Sequence, residues 1–451
     1  MPSKIENLII CTDLNQPFIY GTFLEVLYRL ENENPGNNSA CLIIGDAHKH
    51  NLTKITKLIT EEIGISKEKI SIYAGISSLS KPQQNEVISF STEKSKEINS
   101  CKDLSSLTYK HYNLGVPILS NLISKTRCIN PDINEHRYEI TAYIKYSLFT
   151  YLSFKNFNTT NKKYTHYYIY NGRHYNTFPI STITPKNTTL YYERFNYRKK
   201  LCILPHRIHD FIQYRQSILE LWNSSDLNKT QKESIAHDFF EKHTKNKYAQ
   251  KFTDSRINFE KKFIAFFISS EDEFASLHPE ISVSHIFKNQ RDAVAFMANW
   301  AEQQDEYDLI LRVHPHYEEK SVADRDFWNG FSGKNVITIP SHSEISSYNL
   351  MSMADKVVSF LSTTGIEATY LGRPSILLGN SPYKGQGATY EPATIEELSA
   401  LLKTNIEPLP QSSCLPYGFY IETFGYEFEF LKSLGLKDFS ELDSHLSQML
   451  I

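Results

Sequence analysis

Glycine is scarce in this chain. Only 17 of the 451 residues are glycine, about half of the usual share of roughly 7%. The one G-x-G is Gly385-Gln386-Gly387, and Tyr390 stands where a dinucleotide fingerprint needs its third glycine. No G-x-x-x-x-G-K-[ST] motif occurs. The sequence therefore excludes the glycine-rich phosphate loops of dinucleotide-binding and P-loop proteins.

A strong net charge, paired cysteines and long apolar runs are also missing. The 48 basic and 51 acidic residues give a net charge of −3, which excludes a nucleic-acid binder held by bulk electrostatics. The six cysteines form no C-x-x-C pair, which predicts reduced thiols rather than a disulfide framework or a zinc site. Apolar runs such as 263–268 are too short to span a membrane. With no signal-peptide pattern at the start, we expect a cytoplasmic protein.

Strand and helix patterns alternate in two halves of the chain. Hydrophobic residues make up 40% of it, enough for packed cores. In the first half, strand patterns at 7–11 and 40–44 are each followed by a helical pattern. The second half restarts at the buried strand 262–268 and alternates as far as 402. Such alternation is typical of parallel sheets covered by helices on both faces.

We therefore predict an α/β protein with two Rossmann-like domains, 1–255 and 256–416, and a C-terminal helical tail, 417–451. The boundary is placed in the polar stretch 251–258. Two domains of this kind leave a cleft between them, where ligands usually bind. The polar region 77–131 is too weakly patterned to predict an element.

A strand pattern at 309–313 ends in Arg312-Val313-His314-Pro315-His316. At the carboxyl end of a parallel strand, a cation and histidines are donors for a bound phosphate. The alternative is a plain strand end with surface histidines. A metal site at His314-x-His316 lacks a partner of matching spacing, so no metal is predicted.

A second candidate phosphate site is the turn Ser362-Thr363-Thr364-Gly365 between a buried strand and a helix. Hydroxyls and helix-terminal N–H groups hold anions without a glycine-rich loop. Glu367, in the first helical turn, could hold ribose or sugar hydroxyls. Alone this is an ordinary N-cap; beside the strand end with Arg312 and His314, we interpret it as part of a phosphate site.

Carboxylates follow the first strand of the second half, in Ser269-Ser270-Glu271-Asp272-Glu273. Adjacent acids are expected to raise one another's pKa, which suits acid–base or nucleophilic chemistry. The alternative is a helix-capping segment.

The first half contributes Asn171-Gly172-Arg173 and Tyr192-Glu193-Arg194, which both follow strand patterns, although Asn-Gly is also a turn signal. The surrounding segment 155–200 holds nine Lys or Arg and one acid, a balance of 9 − 1 = +8. An anionic saccharide or a lipid-linked glycan would suit this charge. A solvated face is the simpler interpretation, and nucleic acid is the least favoured.

Taken together, these motifs resemble the bacterial surface-polysaccharide glycosyltransferases of GT-B architecture. The resemblance extends over about 165–400 and includes Ser347-Tyr348-Asn349-Leu350, the run 354–368, Gly372-Arg373-Pro374 and Ser381-Pro382-Tyr383. The order NGR, YER, SSEDE, RVHPH resembles most closely the retaining β-Kdo transferases of capsule and O-antigen assembly, which use a CMP-activated acidic sugar. The sialyltransferase motif of two acids and a glycine is absent.

The resemblance implies two Rossmann-like domains facing a central cleft, and no cofactor or metal. The implied partners are a nucleotide-sugar donor, CMP-linked, and a saccharide or lipid-linked glycan acceptor, with no nucleic acid; the enzyme would be cytoplasmic or peripheral at the inner membrane. Asp272 would be the nucleophile, Glu193 a cleft carboxylate and His314 a ligand of the donor phosphate. Further donor-binding residues would be Ser270, Arg312, His316, Tyr348, Ser362, Thr363, Thr364, Gly365 and Glu367. Acceptor-binding residues would be Asn171, Arg173 and Arg194.

Other functions stay open on the same motifs. A UDP-sugar transferase and a CDP-polyol phosphotransferase would present similar elements, and a sugar-nucleotide epimerase is a weaker alternative. If the enzyme inverts the anomeric centre, an acid of the 271–273 cluster would deprotonate the acceptor instead. A non-catalytic glycan-binding scaffold is the alternative from another class.

Overall fold

The computed structural model describes residues 6–33, 38–45, 49–160, 164–195, 200–207, 209–244, 260–276 and 284–448. The chain divides into two compact units. Unit 1 comprises 1–122, 130–208 and 425–451, and unit 2 comprises 123–129 and 209–424.

Each unit is built on a sheet of mainly parallel strands. The strands, numbered in chain order, are β1 (Glu6–Cys11), β2 (Asn38–Gly45), β3 (Ile70–Ala74), β4 (Thr108–Tyr109), β5 (Tyr112–Asn113), β6 (His166–Tyr170), β7 (Thr189–Phe195), β8 (Lys200–Leu204), β9 (Lys262–Phe267), β10 (Tyr307–Arg312), β11 (Val336–Ile339), β12 (Lys356–Ser359), β13 (Ser375–Leu377) and β14 (Tyr426–Glu427).

The helices cover these sheets and form the C-terminal region. They are α1 (Pro17–Glu33), α2 (Lys49–Lys57), α3 (Lys81–Glu97), α4 (Cys101–Ser105), α5 (Gly115–Thr126), α6 (Arg137–Thr160), α7 (Phe178–Ser181), α8 (Phe211–Ser224), α9 (Lys229–Thr244), α10 (Glu271–Ala275), α11 (Gln290–Glu302), α12 (Val322–Asn329), α13 (Ser347–Met353), α14 (Thr364–Tyr370), α15 (Ile395–Lys403), α16 (Leu415–Thr423), α17 (Glu429–Ser433) and α18 (Phe439–Gln448). The predicted α/β class with two parallel-sheet units and C-terminal helices is confirmed.

Unit 1 has a seven-stranded sheet in the order β14-β8-β7-β6-β1-β2-β3. The five strands from β7 to β3 in this order run parallel to one another. At the β7 edge, β8 pairs antiparallel with β7, and β14 pairs antiparallel with β8. Leu8 and Ile10 of β1 pack into one core cluster, and Ile9 and Cys11 pack into another. A continuous apolar run is what a central strand needs when both of its faces are covered.

Unit 2 has a five-stranded, wholly parallel sheet in the order β11-β10-β9-β12-β13. From β9 the chain proceeds outward to β10 and β11, and then returns to β12 on the other side of β9. The carboxyl ends of β9 and β12 therefore flank the point where the strand order reverses, which is where open α/β sheets bind ligands.

The two units divide the chain differently from the predicted domains. The predicted boundary in 251–258 lies outside the described residues. Residues 209–244 belong with unit 2, because α9 packs against α16 through Ala236, Leu415 and Phe419. The end of the predicted tail belongs with unit 1, because β14 pairs with β8 and because α17 and α18 pack on α1.

The region 77–131, for which no element was predicted, contains α3, α4, α5 and the short strands β4 and β5. The described part of the chain has no helix long and apolar enough to cross a membrane. All six cysteines are free thiols.

Candidate functional site

Hydrogen bonds connect the loops that follow β9, β10 and β12 at the carboxyl edge of the unit 2 sheet. Tyr317, in the loop after β10, donates its hydroxyl to the Ser269 carbonyl at 3.3 Å. The Leu361 N–H, after β12, donates to Ser269 Oγ at 3.4 Å. The fold therefore brings three motifs predicted from the sequence to one edge of one sheet.

Asp272 is held in place by two neighbours. The residue is 8% exposed. Its Oδ1 accepts hydrogen bonds from Ser270 Oγ at 2.9 Å and from Lys320 Nζ. The Lys320 side chain is itself only 4% exposed. Sequence reasoning missed Lys320, because its pairing with Asp272 joins residues far apart in the chain.

The three adjacent acids have separate partners. Glu271 is buried and accepts hydrogen bonds from Arg291 Nε and Trp328 Nε1, both at 3.1 Å. Burial raises the pKa of Glu271, Arg291 opposes the shift, and the acid that adds to it is Asp324. Glu273 Oε1 instead lies 3.9 Å from His316 Nδ1. Successive helical residues diverge by about 100°, so each acid of the cluster faces its own partner.

His314 and His316 have opposite electrostatic characters. His314 Nδ1 accepts the backbone N–H of His316 at 3.1 Å, so the neutral ring carries its proton on Nε2. Burial, with His316 second, lowers the pKa of His314 to about 4. His314 is therefore a neutral hydrogen-bond donor at pH 7. The Glu273 carboxylate, 3.9 Å from His316, raises the pKa of His316.

Arg312, predicted to bind the donor phosphate, is bonded to backbone carbonyls. The residue is 2% exposed. Its Nη1 donates to the carbonyls of Pro340 at 2.6 Å and Val313 at 3.2 Å, and its Nη2 donates to the Ser343 carbonyl at 3.3 Å. Arg312 Nε is buried without a hydrogen-bond partner among the described residues. Burial lowers the pKa of Arg312 to about 10. Two of its three nitrogens therefore hold the segment after β11 in place, and its role as a phosphate ligand stays a prediction.

The turn after β12 is compact. Ser362 Oγ accepts the Thr364 N–H at 3.3 Å, and Thr363 is exposed. A Cβ at Gly365 would overlap Ser359 Oγ and the Tyr383 hydroxyl, so this close approach requires glycine.

Glu367 and Tyr348, both predicted to bind the donor, are bonded to each other. The Tyr348 hydroxyl donates to Glu367 Oε2 at 3.0 Å, and Glu367 is buried. Burial, with Glu367 second, raises the pKa of Tyr348. The pair fastens α13 to α14 behind the turn.

In unit 1, the predicted acceptor residues meet at the carboxyl ends of β6 and β7. These strands run parallel with Tyr170 opposite Tyr192, so Asn171 and Glu193 are neighbours. Asn171 Nδ2 donates to Glu193 Oε2 at 2.5 Å, and the Arg173 N–H donates to Asn171 Oδ1 at 3.1 Å. The left-handed backbone at Asn171 (φ +54°) and Gly172 (φ +76°) shows that the motif forms a turn, as its alternative interpretation predicted, and its role in acceptor binding stays a prediction.

Arg194 extends from the opposite face of β7, because successive strand residues alternate. It lines a cavity of about 370 Å³ together with Phe18, Phe428 and Asp438. Its guanidinium lies 5.8 Å from the centroid of the Phe18 ring. Arg194 is thus separated from the other three unit 1 site residues.

Glu193 is the predicted site residue of unit 1 whose pKa lies near neutral pH. Burial raises its pKa from 4.5 to about 7, although Asn171 and two arginines oppose the shift. A carboxyl with a pKa near neutrality is suited to proton transfer.

This shift predicts a pH-dependent stability. Folded Glu193 binds its proton more tightly than the unfolded chain does, so the free energy of unfolding falls as the pH rises from about 4.5 to about 7. We expect the Glu193→Gln variant to lack this component, so that its melting temperature gains on that of the wild type across this range. Thermal melts in a pH series test this. Parallel curves for the two proteins would contradict it.

Sequence reasoning also missed Asp13, which directly follows β1 at the same edge of the unit 1 sheet. Burial raises its pKa. The sequence signal was a carboxylate placed two residues after a fully buried strand.

Among the described residues, no group of three or more His, Cys, Asp or Glu side chains is placed to hold a metal ion.

Residues 196–408 match the family described as "Capsule polysaccharide biosynthesis protein". No curated protein sequence matches the chain. Solved structures with a similar fold include the KpsC β-Kdo 2,4 transferase of Thermosulfurimonas dismutans, at 14% identity and a TM-score of 0.39, with 56% of this chain and 79% of that chain covered. Another is the UDP-GlcNAc 2-epimerase of Neisseria meningitidis, at 10% identity and a TM-score of 0.27, with 99% of each chain covered.

The matched segment 196–408 contains all the candidate site residues of unit 2. It includes Ser270, Asp272, the two histidines and the turn after β12. The motifs SSEDE and RVHPH lie inside the matched segment, whereas NGR and YER precede it. The match to the capsule polysaccharide biosynthesis family confirms the sequence resemblance for residues 196–408.

Proposed function

We propose that this protein is a glycosyltransferase of bacterial surface-polysaccharide biosynthesis. It transfers a sugar from a nucleotide-linked donor, a CMP-activated acidic sugar such as Kdo, to a saccharide or lipid-linked glycan acceptor. One observation carries the proposal. Within the segment that matches the capsule family, the hydrogen-bonded carboxylate of Asp272 and the neutral ring of His314 follow two neighbouring parallel strands, β9 and β10, at the same edge of the sheet. The choice of CMP and Kdo depends on the order of the motifs.

The chemistry at this edge is a double displacement. The Asp272 carboxylate attacks the anomeric carbon as the bond from that carbon to the phosphate oxygen breaks, and the nucleotide leaves with the electron pair. The acceptor hydroxyl then displaces Asp272 from the anomeric carbon and gives up its proton to a base. Ser270 and Lys320 orient the Asp272 carboxylate by donating hydrogen bonds to it. The His314 Nε2–H donates to the phosphate of the nucleotide donor.

A donor-only thermal-shift screen tests the proposal, with CMP-Kdo, a UDP-sugar and a CDP-polyol in separate wells. A donor present at about a hundred times its Kd stabilises the folded state by about 2.7 kcal/mol. We expect CMP-Kdo to raise the melting temperature most. The same donors are then incubated with acceptor glycans, with and without EDTA, and nucleotide release is measured. Because no metal takes part in the proposed step, we expect EDTA to leave release unchanged.

The outcomes separate the functions left open by the sequence. A preference for the UDP-sugar or the CDP-polyol would retain the transferase and reject the CMP-linked donor. The absence of any nucleotide response would reject the transferase and favour a glycan-binding scaffold.

A further inference from the structure

Two basic side chains converge beside the candidate site of unit 2. Arg215 Nη2 and Lys384 Nζ donate to the same oxygen, Asn380 Oδ1, at 3.5 and 3.2 Å. Arg215 lies on α8, whereas Asn380 and Lys384 follow β13, the neighbour of β12 in the sheet. The Tyr383 hydroxyl donates to the Ser362 carbonyl, so this segment contacts the turn predicted to hold phosphate.

Within the described chain, the positive charges of this pair are opposed at longer range, by Glu391 for both cations and by Asp210 for Arg215. Neither Arg215 nor Lys384 forms an ion pair with a described residue, and Arg215 Nε is buried without a hydrogen-bond partner among those residues. Oε1 of the nearby acid Glu391 accepts hydrogen bonds from the Gly385 N–H at 2.7 Å and from Thr389 Oγ1 at 3.1 Å. Burial lowers the pKa of Arg215 and of Lys384. Two half-buried like charges that share one amide oxygen are held at a cost, which a bound anion would offset.

There is open space beside the pair. Gly385 and Gly387 follow Lys384 with φ of +79° and +73°, and no atom lies within 4 Å of a Cβ built on either residue. This is the G-x-G whose missing third glycine excluded a dinucleotide fingerprint. Its position next to two cations leaves room for a ligand.

We propose that Arg215 and Lys384 bind the phosphate of the nucleotide donor, the role that the sequence assigned to Arg312. This inference rests on the proposed function. A sugar linked through CMP carries a phosphodiester with one negative charge, and the released CMP is a monoester that gains a second. Two cations therefore hold the leaving nucleotide more strongly than the intact donor, which favours the transfer step.

Isothermal titration with CMP, cytidine and pyrophosphate tests the site, using Arg215→Gln and Lys384→Gln. Each substitution removes a charge-assisted hydrogen bond to the phosphate. We therefore expect each one to weaken the affinity for CMP by about tenfold. Cytidine, which lacks the phosphate, should bind all variants equally. Lys403→Gln, an exposed lysine of the same unit, is the matched control and should bind CMP like the wild type. Wild-type affinity for CMP should also fall with added salt.

Conservative variants guard against misfolding. Lys384→Arg and Arg215→Lys keep the charge and should retain most of the CMP affinity while the glutamine variants lose it. Unchanged CMP binding in both glutamine variants would overturn the site and leave the transferase proposal standing. Conversely, if the wild type binds pyrophosphate through Arg215 and Lys384 but binds no nucleotide, the anion site stands and the proposed function fails. Equal loss of CMP and cytidine in all four variants would also reject a specific phosphate role.

Discussion

The Asp272→Asn variant is expected to lose sugar transfer by about 10³-fold or more, because the amide cannot form the covalent intermediate. The side chain keeps its shape and an oxygen to accept the Ser270 hydroxyl. Transfer is measured as nucleotide release in the presence of acceptor. The matched control is Glu273→Gln. It neutralises the adjacent acid, whose side chain is exposed to solvent and lies near His316. We expect this control to retain most of its activity.

Loss of activity in Asp272→Asn has a second possible cause that the design must separate. Removing one partner of a buried ion pair leaves Lys320 uncompensated, which costs about 3–5 kcal/mol of stability. The double variant Asp272→Asn, Lys320→Met removes both charges and should be more stable than the single variant. A nucleophile predicts that the double variant remains inactive. Activity that returns with stability would show that Asp272 has only a structural role.

Activity in Asp272→Asn together with its loss in Glu273→Gln would assign the chemistry to Glu273. A loss of activity in Glu273→Gln could not be attributed to a disturbed core, because Glu273 is exposed, whereas Asp272 is only 8% exposed.

The strands were predictable because their signal is local. β9 and β1 are apolar on both faces, as central parallel strands require, and their positions follow from the sequence alone. The helix α3 gave no comparable pattern, because it buries only Val87, Ser91 and Ser95. Two of these are serines, so the buried face has no hydrophobic periodicity for sequence reasoning to detect.

The grouping of the candidate residues was predictable, whereas their contacts were less so. Three motifs that follow strand patterns lie together because the carboxyl ends of parallel strands meet at one edge. Which side chains are free there depends on contacts between distant residues. Arg312 is engaged by carbonyls about thirty positions away, and Arg215 reaches Asn380 from another helix. No local pattern distinguishes a cation bonded to backbone from one that remains available.

A second large effect, on the stability of unit 1, is expected from substitution of Glu25, whose carboxylate attaches a C-terminal helix to α1. Glu25 is 2% exposed. Its carboxylate accepts the backbone N–H groups of Glu429 at 2.9 Å, Phe430 at 3.1 Å and Leu431 at 2.8 Å. These are the first N–H groups of α17, which have no partner within their own helix. An acid on α1 therefore caps a helix about 400 residues later in the chain.

The surrounding packing depends on the same attachment. A Cβ at Gly21, one turn before Glu25 on α1, would overlap the Phe439 ring of α18. Phe430, Leu431 and Phe439 belong to the core cluster that also contains the buried side chains of α1. Loss of the cap would therefore loosen apolar contacts as well as hydrogen bonds.

We expect Glu25→Ala to lower the free energy of unfolding by about 3–5 kcal/mol, because three backbone donors, two of them buried, lose their acceptor. Urea denaturation measures this change, and limited proteolysis should cut first within 425–451. Glu429→Ala is the matched control: it removes the carboxylate that pairs with Arg29 at 3.4 Å and is 52% exposed, so a loss below about 1 kcal/mol is expected. Equal losses in the two variants would mean that apolar packing alone attaches α17 and α18. A large loss confined to Glu25→Ala would show that one buried carboxylate fixes the end of the chain to its first helix.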